Sequence, residues 1–146
     1  MLSGTAHRFR VPGSYARRMA ALRDVVVDCH HPASLARWWA ATLDGFRVAP
    51  YDDAELARLR AQGVDDPEDD PSVLVEPVSG AGPRLWFNQV PEPKAGKNRL
   101  HLDLTVADLA SGVDDLVARG ATVLARHDGW TVLADPEGDE FCVFPA

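Results

Sequence analysis

The clearest signal along the chain is a change of period. "RLHLDLTV", residues 99–106, alternates: Leu100, Leu102, Leu104 and Val106 take one parity, and His101, Asp103 and Thr105 take the other. A period of two predicts a strand with one apolar and one polar face. "DLASGVDDLVARG" follows and reads as a helix, then "ATVLARH" as a strand. "WTVLA" and "EFCVFP" read as a hairpin around "DPEGD", where Gly138 supplies the turn conformation. Upstream, "LRDVVVDCHHP" predicts a buried strand. "PASLARWWAATLDGF" predicts an amphipathic helix with Pro32 in its first turn, Leu35, Trp38, Trp39 and Leu43 on one face, and Gly45 at its stop. "FRVAP" is a short strand, "DDAELARLRAQG" a short surface helix ended by Gly63, and "VDDPEDDP" an acidic loop broken by proline. "SVLVEPV" and "RLWFNQV" are strands joined across "SGAGP", and "PEPKAGKN" is a polar connector between two halves.

The order strand, helix, strand, strand, strand occurs twice. Setting Asp24 against His101 runs "DVVVDCHHPASLARWW" beside "HLDLTVADLASGVDDL" without a gap, so that His31 meets Asp108. Setting Pro91 against Pro145 runs "WFNQVP" beside "EFCVFP", so that Asn88 meets Cys142. Each half is expected to curl four strands around one helix.

With 146 residues, 46% apolar and 25% charged, the chain has the composition of a soluble globular protein of one domain or two small halves. A net charge of -7 disfavours nucleic acid and anionic membrane as partners. No apolar run has the length of a transmembrane helix. Cys29 and Cys142 have no metal-finger spacing, and with no secretory leader a reduced, cytoplasmic setting is expected. Residues 1–21 are basic and read either as a packed arm or as a tail, with the fold starting at residue 22.

The two βαβββ halves, "DPEGDEFCVF" as a closing hairpin, and "RLWFNQVPEPKAGKNRLHLDL" in mid-chain resemble the vicinal oxygen chelate superfamily, and within it the glyoxalase-like domain branch. The superfamily includes glyoxalase I, extradiol dioxygenases, fosfomycin-resistance proteins and bleomycin-binding proteins. The resemblance implies an α+β fold in which modules at 22–92 and 98–146 form a cup-shaped, mostly antiparallel sheet. It also implies four positions pointing into the cup, one early in the first strand and one on the last strand of each module. Here these are Asp24, Asn88, His101 and Cys142. His101 keeps the family's usual ligand type; the other three depart from its His and Glu.

Two functions follow from different classes. One is a small-molecule enzyme of lyase, isomerase or ring-opening type, in which a divalent ion (Zn, Ni, Mn or Fe) chelates neighbouring substrate oxygens. The other is a metal-free protein that binds or sequesters a small flat compound, with no cofactor. Either way the partner is a small-molecule ligand, and the open sheet edges predict a homodimer.

Several side chains carry two readings. Asp103 either orients His101 or pairs with Arg99. Glu140 is either a general acid or base with a pKa raised by burial, acting with His101, or an exposed edge residue. Asp28 shares the parity of Asp24 and is expected to face the cup, as a ligand-binding position. Trp86 and Trp130 either stack on a flat ligand or simply pack. Cys142 reads as a buried thiol in preference to a nucleophile. Cys29, Trp38 and Trp39 read as core, and His30 and His31 as neighbours of a helix start. The lysines of "KAGKN" and the acids of "DDPEDD" read first as solvated loops.

Overall fold

A computed structural model describes residues 21–146. The expected arm or tail therefore lies almost wholly outside the described residues. The chain forms β1 (Asp24–Cys29), α1 (Pro32–Thr42), β2 (Phe46–Val48), α2 (Asp53–Ala61), a single 3-10 turn (Pro67–Asp69), β3 (Ser72–Pro77), β4 (Arg84–Gln89), β5 (Asp103–Val106), α3 (Leu109–Ala118), β6 (Thr122–His127), β7 (Trp130–Ala134) and β8 (Glu140–Pro145).

The strands make two four-stranded mixed sheets, ordered β1-β4-β3-β2 and β5-β8-β7-β6. In each, the first strand runs parallel to the last and the other neighbours are antiparallel. The fold is thus α+β with two βαβββ modules, as the repeat predicts. Parity decides the faces. Val27 and Cys29 of β1, and Leu102, Leu104 and Val106 of and before β5, pack into the core, while Val26, Asp28, Asp103 and Thr105 are exposed on the opposite side. Leu100 departs from the buried apolar face that its parity predicts: it is 65% exposed. The ladder begins only at Asp103, and without strand pairing the alternation has nothing to hold it at residue 100.

Both helices start where the repeat places them, at His31 and Asp108. They are capped differently. Asp108 accepts a hydrogen bond from the Ser111 amide at 2.8 Å. His31 supplies no side-chain cap. Instead the Glu137 carboxylate, from the hairpin of the other module, accepts from the His30 and His31 amides at 2.6 and 2.7 Å. A carboxylate is favoured at a helix start by the unpaired amides and the dipole.

One continuous core serves both modules, with Leu35, Trp39, Val75, Leu85 and Phe87 from one and Val113, Leu116, Leu133, Phe141 and Val143 from the other. Trp39 lies edge-to-face on Phe141, with ring centroids 5.3 Å apart. Its indole N–H donates to buried Asp135 at 3.0 Å, and the Trp38 indole donates to the Arg119 carbonyl at 3.0 Å. Asp135 also accepts from the Glu137 and Asp139 amides, which shapes the "DPEGD" turn, and Gly138 takes φ +93° there.

Candidate functional site

β5 and β8 run side by side with Asp103 opposite Cys142. His101, two residues before Asp103, shares its parity and keeps the same side. The three side chains converge. One donor atom from each of His101, Asp103 and Cys142 lies within 4.8 Å of the other two, and His101 Nε2 stands 3.4 Å from an Asp103 oxygen. Asp103 therefore attends His101; it makes no ion pair with Arg99 among the described residues. Cys142 is a buried free thiol. Burial pushes its pKa up, and the Asp103 charge and hydrogen bond push it further.

His101 lines a pocket of about 430 Å³ between the edge of β1 and the segment leading into β5. Its walls include Val25, Val27, Leu102 and Phe141, with Asp28, Asp139 and Glu140 among the polar groups. Asp28 and Asp139 also border a second cavity of about 840 Å³ under the connector, with His30, His31, Lys94 and Glu137. The larger cavity contains none of the three converging donors, and the smaller one is lined by His101 alone of them.

Glu140 differs from both of its expected roles. Its side chain is only 12% exposed, and Lys94 Nζ lies 3.2 Å away. Burial raises its pKa, but hydrogen bonds from its own and the Asn98 amides and from Lys94 outweigh that and hold it below the ordinary range. It is neither an exposed edge residue nor a carboxyl with a raised pKa. Its neighbour Asp139 is raised: burial first, then the charge of Asp135, pushes it up to about 6, and burial raises Asp135 as well. Sequence reasoning missed Asp139. The only signal for it was its place in the quoted "DPEGD" turn.

The module-one positions do not join the cluster. Asp24 is held by Arg84 at 2.8 and 3.0 Å and approached by Arg23 at 3.2 Å. The Arg84 hydrogen bonds hold its carboxyl below the ordinary range. Asn88 accepts from the Ser72 hydroxyl at 2.6 Å. Asp24 pairs across to Arg84, whereas Asn88 pairs with Asp28, four residues further along β1. That spacing is roughly 13 Å, too far for two side chains to share a ligand about 2 Å from each.

The register explains the miss. With His31 on Asp108, Asp28 corresponds to Thr105, which pairs with Phe144. Asn88 therefore corresponds to Phe144 and Trp86 to Cys142, two residues away from the sequence alignment of the last strands. The module-one counterparts of His101, Asp103 and Cys142 are Asp24, Val26 and Trp86. Trp86 lines a separate cavity under α2. Trp130 is sandwiched between His127, at 4.0 Å, and Phe144, at 5.7 Å, with all three rings near parallel, so its faces are already stacked.

The glyoxalase-like domain family model matches residues 24–144. A search of the curated proteins gives no match. Among solved structures the chain is similar to the fosfomycin resistance protein FosX from Mesorhizobium loti, at 12% identity and a TM-score of 0.57 over 85% of this chain and 90% of that one. It is similar to a glyoxalase/bleomycin resistance protein/dioxygenase superfamily member from Sphaerobacter thermophilus, at 18% identity and 0.55 over 88% and 98%. It is also similar to the trypanothione-dependent glyoxalase I of Leishmania major, at 14% identity and 0.53 over 86% of each chain. These likenesses carry the fold, and the family match carries the membership: the chain belongs to the glyoxalase-like domain family.

Proposed function

We propose that this protein is a glyoxalase-like enzyme acting on a small molecule, with His101, Asp103 and Cys142 as the ligands of a divalent ion and the adjoining pocket as the substrate site. The observation that carries this reading is the convergence of three donors of different type within 4.8 Å. Tetrahedral ligands stand roughly 3.3–3.8 Å apart, so side-chain rotations of about 1 Å close the set. Imidazole, carboxylate and thiolate together favour Zn over Mn, with Ni and Fe as further candidates. Three protein ligands leave a position for substrate. Bound there, a divalent ion supplies Lewis acidity to substrate oxygens.

The chain's own groups divide the remaining work. The raised pKa of Cys142 makes it a poor free nucleophile, and it would serve instead as a thiolate ligand to the ion. Val25, Val27, Leu102 and Phe141 exclude water from the apolar part of a substrate. Asp139, on the same wall and near 6, is tuned to take and return a proton close to neutral pH. Glu140, held ionised by Lys94, positions the Asn98 amide at the mouth. The outcome is lyase, isomerase or ring-opening chemistry on a substrate with neighbouring oxygens.

The second reading, a metal-free binding protein, draws on one observation: Asp24 is committed to Arg84 and Asn88 to Ser72, so module one offers no ligand. Metal analysis of protein purified without chelators or a metal-affinity tag decides between the two. The enzyme reading expects a stoichiometric ion in the wild type and a strong loss in His101→Ala. A wild type that takes up no metal under any loading leaves the binding reading in its place.

Exposed apolar side chains on an edge strand of each sheet, Val26 of β1 at 54% and Leu124 of β6 at 52%, support the homodimer, which sedimentation would test. Two free buried thiols accord with a reducing, cytoplasmic setting. Among the described residues no helix is long and apolar enough to cross a membrane.

A further inference from the structure

Module one carries something module two lacks. β6 and β7 are joined by Asp128 and Gly129 alone, whereas residues 49–71, containing α2 and the 3-10 turn, stand between β2 and β3. This inserted segment covers part of the exposed sheet face and encloses a cavity of about 490 Å³. None of its lining residues lines the pocket at His101. Its floor is Trp86, at the position where module two has Cys142, with Leu74 beside it and Pro50 on the wall.

The charges around this cavity are unbalanced. Asp52, Glu55 and Asp70 line it against one cation, Arg58. Arg58 is already committed: its guanidinium donates to Glu55 through Nε and Nη2 and to Gln62 through Nη1. Asp70 is the decisive group. It is 2% exposed, and its hydrogen bonds come from neutral donors, the Tyr51 hydroxyl and the Ser72 amide, each at 2.9 Å. The nearest guanidinium nitrogen is 3.9 Å away. A buried carboxylate short of countercharge is costly, and a ligand that brings positive charge offsets that cost. An indole floor selects the same kind of ligand, because the negative face of the ring attracts a cation. An anionic ligand is excluded by the same carboxylates.

We propose that the cavity under α2 is a second binding site, taking an organic cation: a primary or quaternary amine whose apolar body lies on Trp86 and whose charge faces Asp70 and Glu55. A volume of about 490 Å³ suits a molecule of one or two rings. This site does not depend on metal at His101.

Calorimetric titration with benzylamine and benzyltrimethylammonium, against benzyl alcohol and benzoate of similar shape, tests it. The amines should bind saturably and about tenfold or more tighter than the neutral and anionic probes. Trp86→Leu should weaken the amines about tenfold. Ala54→Phe, on the exposed face of α2 at the cavity wall, should block them while leaving the thermal melt near wild type. That variant carries the test should Trp86→Leu fail to fold. His101→Ala should bind the amines as the wild type does, which separates this site from the proposed metal centre. Absence of saturable amine binding, benzoate binding as tight as the amines, or amine binding unchanged by Ala54→Phe overturns the proposal.

Discussion

The two modules share one plan and differ at equivalent positions. Module two places His101, Asp103 and Cys142 where module one places Asp24, Val26 and Trp86. Where module two has three donors converging, module one has a carboxylate neutralised by Arg84, a valine and an indole. Where module two leaves its sheet face open beyond a tight turn, module one builds a cavity over it. A repeated fold thus supplies the same pair of neighbouring strands twice, and the side chains decide which copy brings three donors together.

Helix packing differs in the same way, and it gives the largest expected effects. Leu35 in α1 corresponds to Gly112 in α3. Leu35 is 1% exposed in the core, so Leu35→Ala should cost about 2–5 kcal/mol in urea melts. Gly112 lets α3 sit directly on β5, where an added Cβ would meet Val106 Cβ at 2.8 Å. Gly112→Ala should therefore destabilise by about 1–3 kcal/mol, although alanine is the better helix former. A neutral or stabilising Gly112→Ala would break the contrast between a filled and a close-packed helix seat.

The closing turn gives a smaller effect. With Gly138 at φ +93°, Gly138→Val should cost about 1 kcal/mol or more. A variant as stable as wild type would remove the turn as the device that positions Asp139 and Glu140.

A pH dependence is specific to module two. Asp139 has its pKa raised from 3.8 to about 6 in the folded protein, by burial and by Asp135. A raised carboxyl binds its proton more tightly folded than unfolded. Its favourable contribution is present below the unfolded value and is lost as pH rises through the folded one. The contribution of Asp139 to stability should fall with rising pH between about 4 and about 6, so Asp139→Asn should gain stability relative to wild type across that range. Urea melts at several pH values check this, and an unchanged slope in the variant would count against a raised Asp139.

How much of this was legible in the sequence depends on what periodicity can encode. Element order, the helix starts at His31 and Asp108, and the inward and outward faces of β1 and β5 all follow from period and parity. The pairing of Asn88 with Cys142 in the repeat did not hold, for a definite reason. A slip of one residue would exchange the core and solvent faces, but a slip of two preserves every face assignment. Hydrophobic pattern alone therefore permits Asn88 or Trp86 opposite Cys142, and only the strand ladder selects Trp86. Leu100 failed because alternation outlasts the ladder by several residues. The Lys94–Glu140 contact and the burial of Asp139 link the connector and the hairpin to the rest of the fold, which no local pattern records.

The central claim is that the donor set belongs to module two alone. Cobalt(II) titration of the purified protein, followed by absorbance, tests it most directly, because a cobalt–thiolate bond gives a charge-transfer band that reports Cys142 itself. The account predicts a saturable band in the wild type, its absence in Cys142→Ser, strong weakening in His101→Ala, and bands like wild type in Asp24→Asn and Asn88→Ala. A wild type without the band, or Asp24→Asn losing it as fully as Cys142→Ser, would contradict the account.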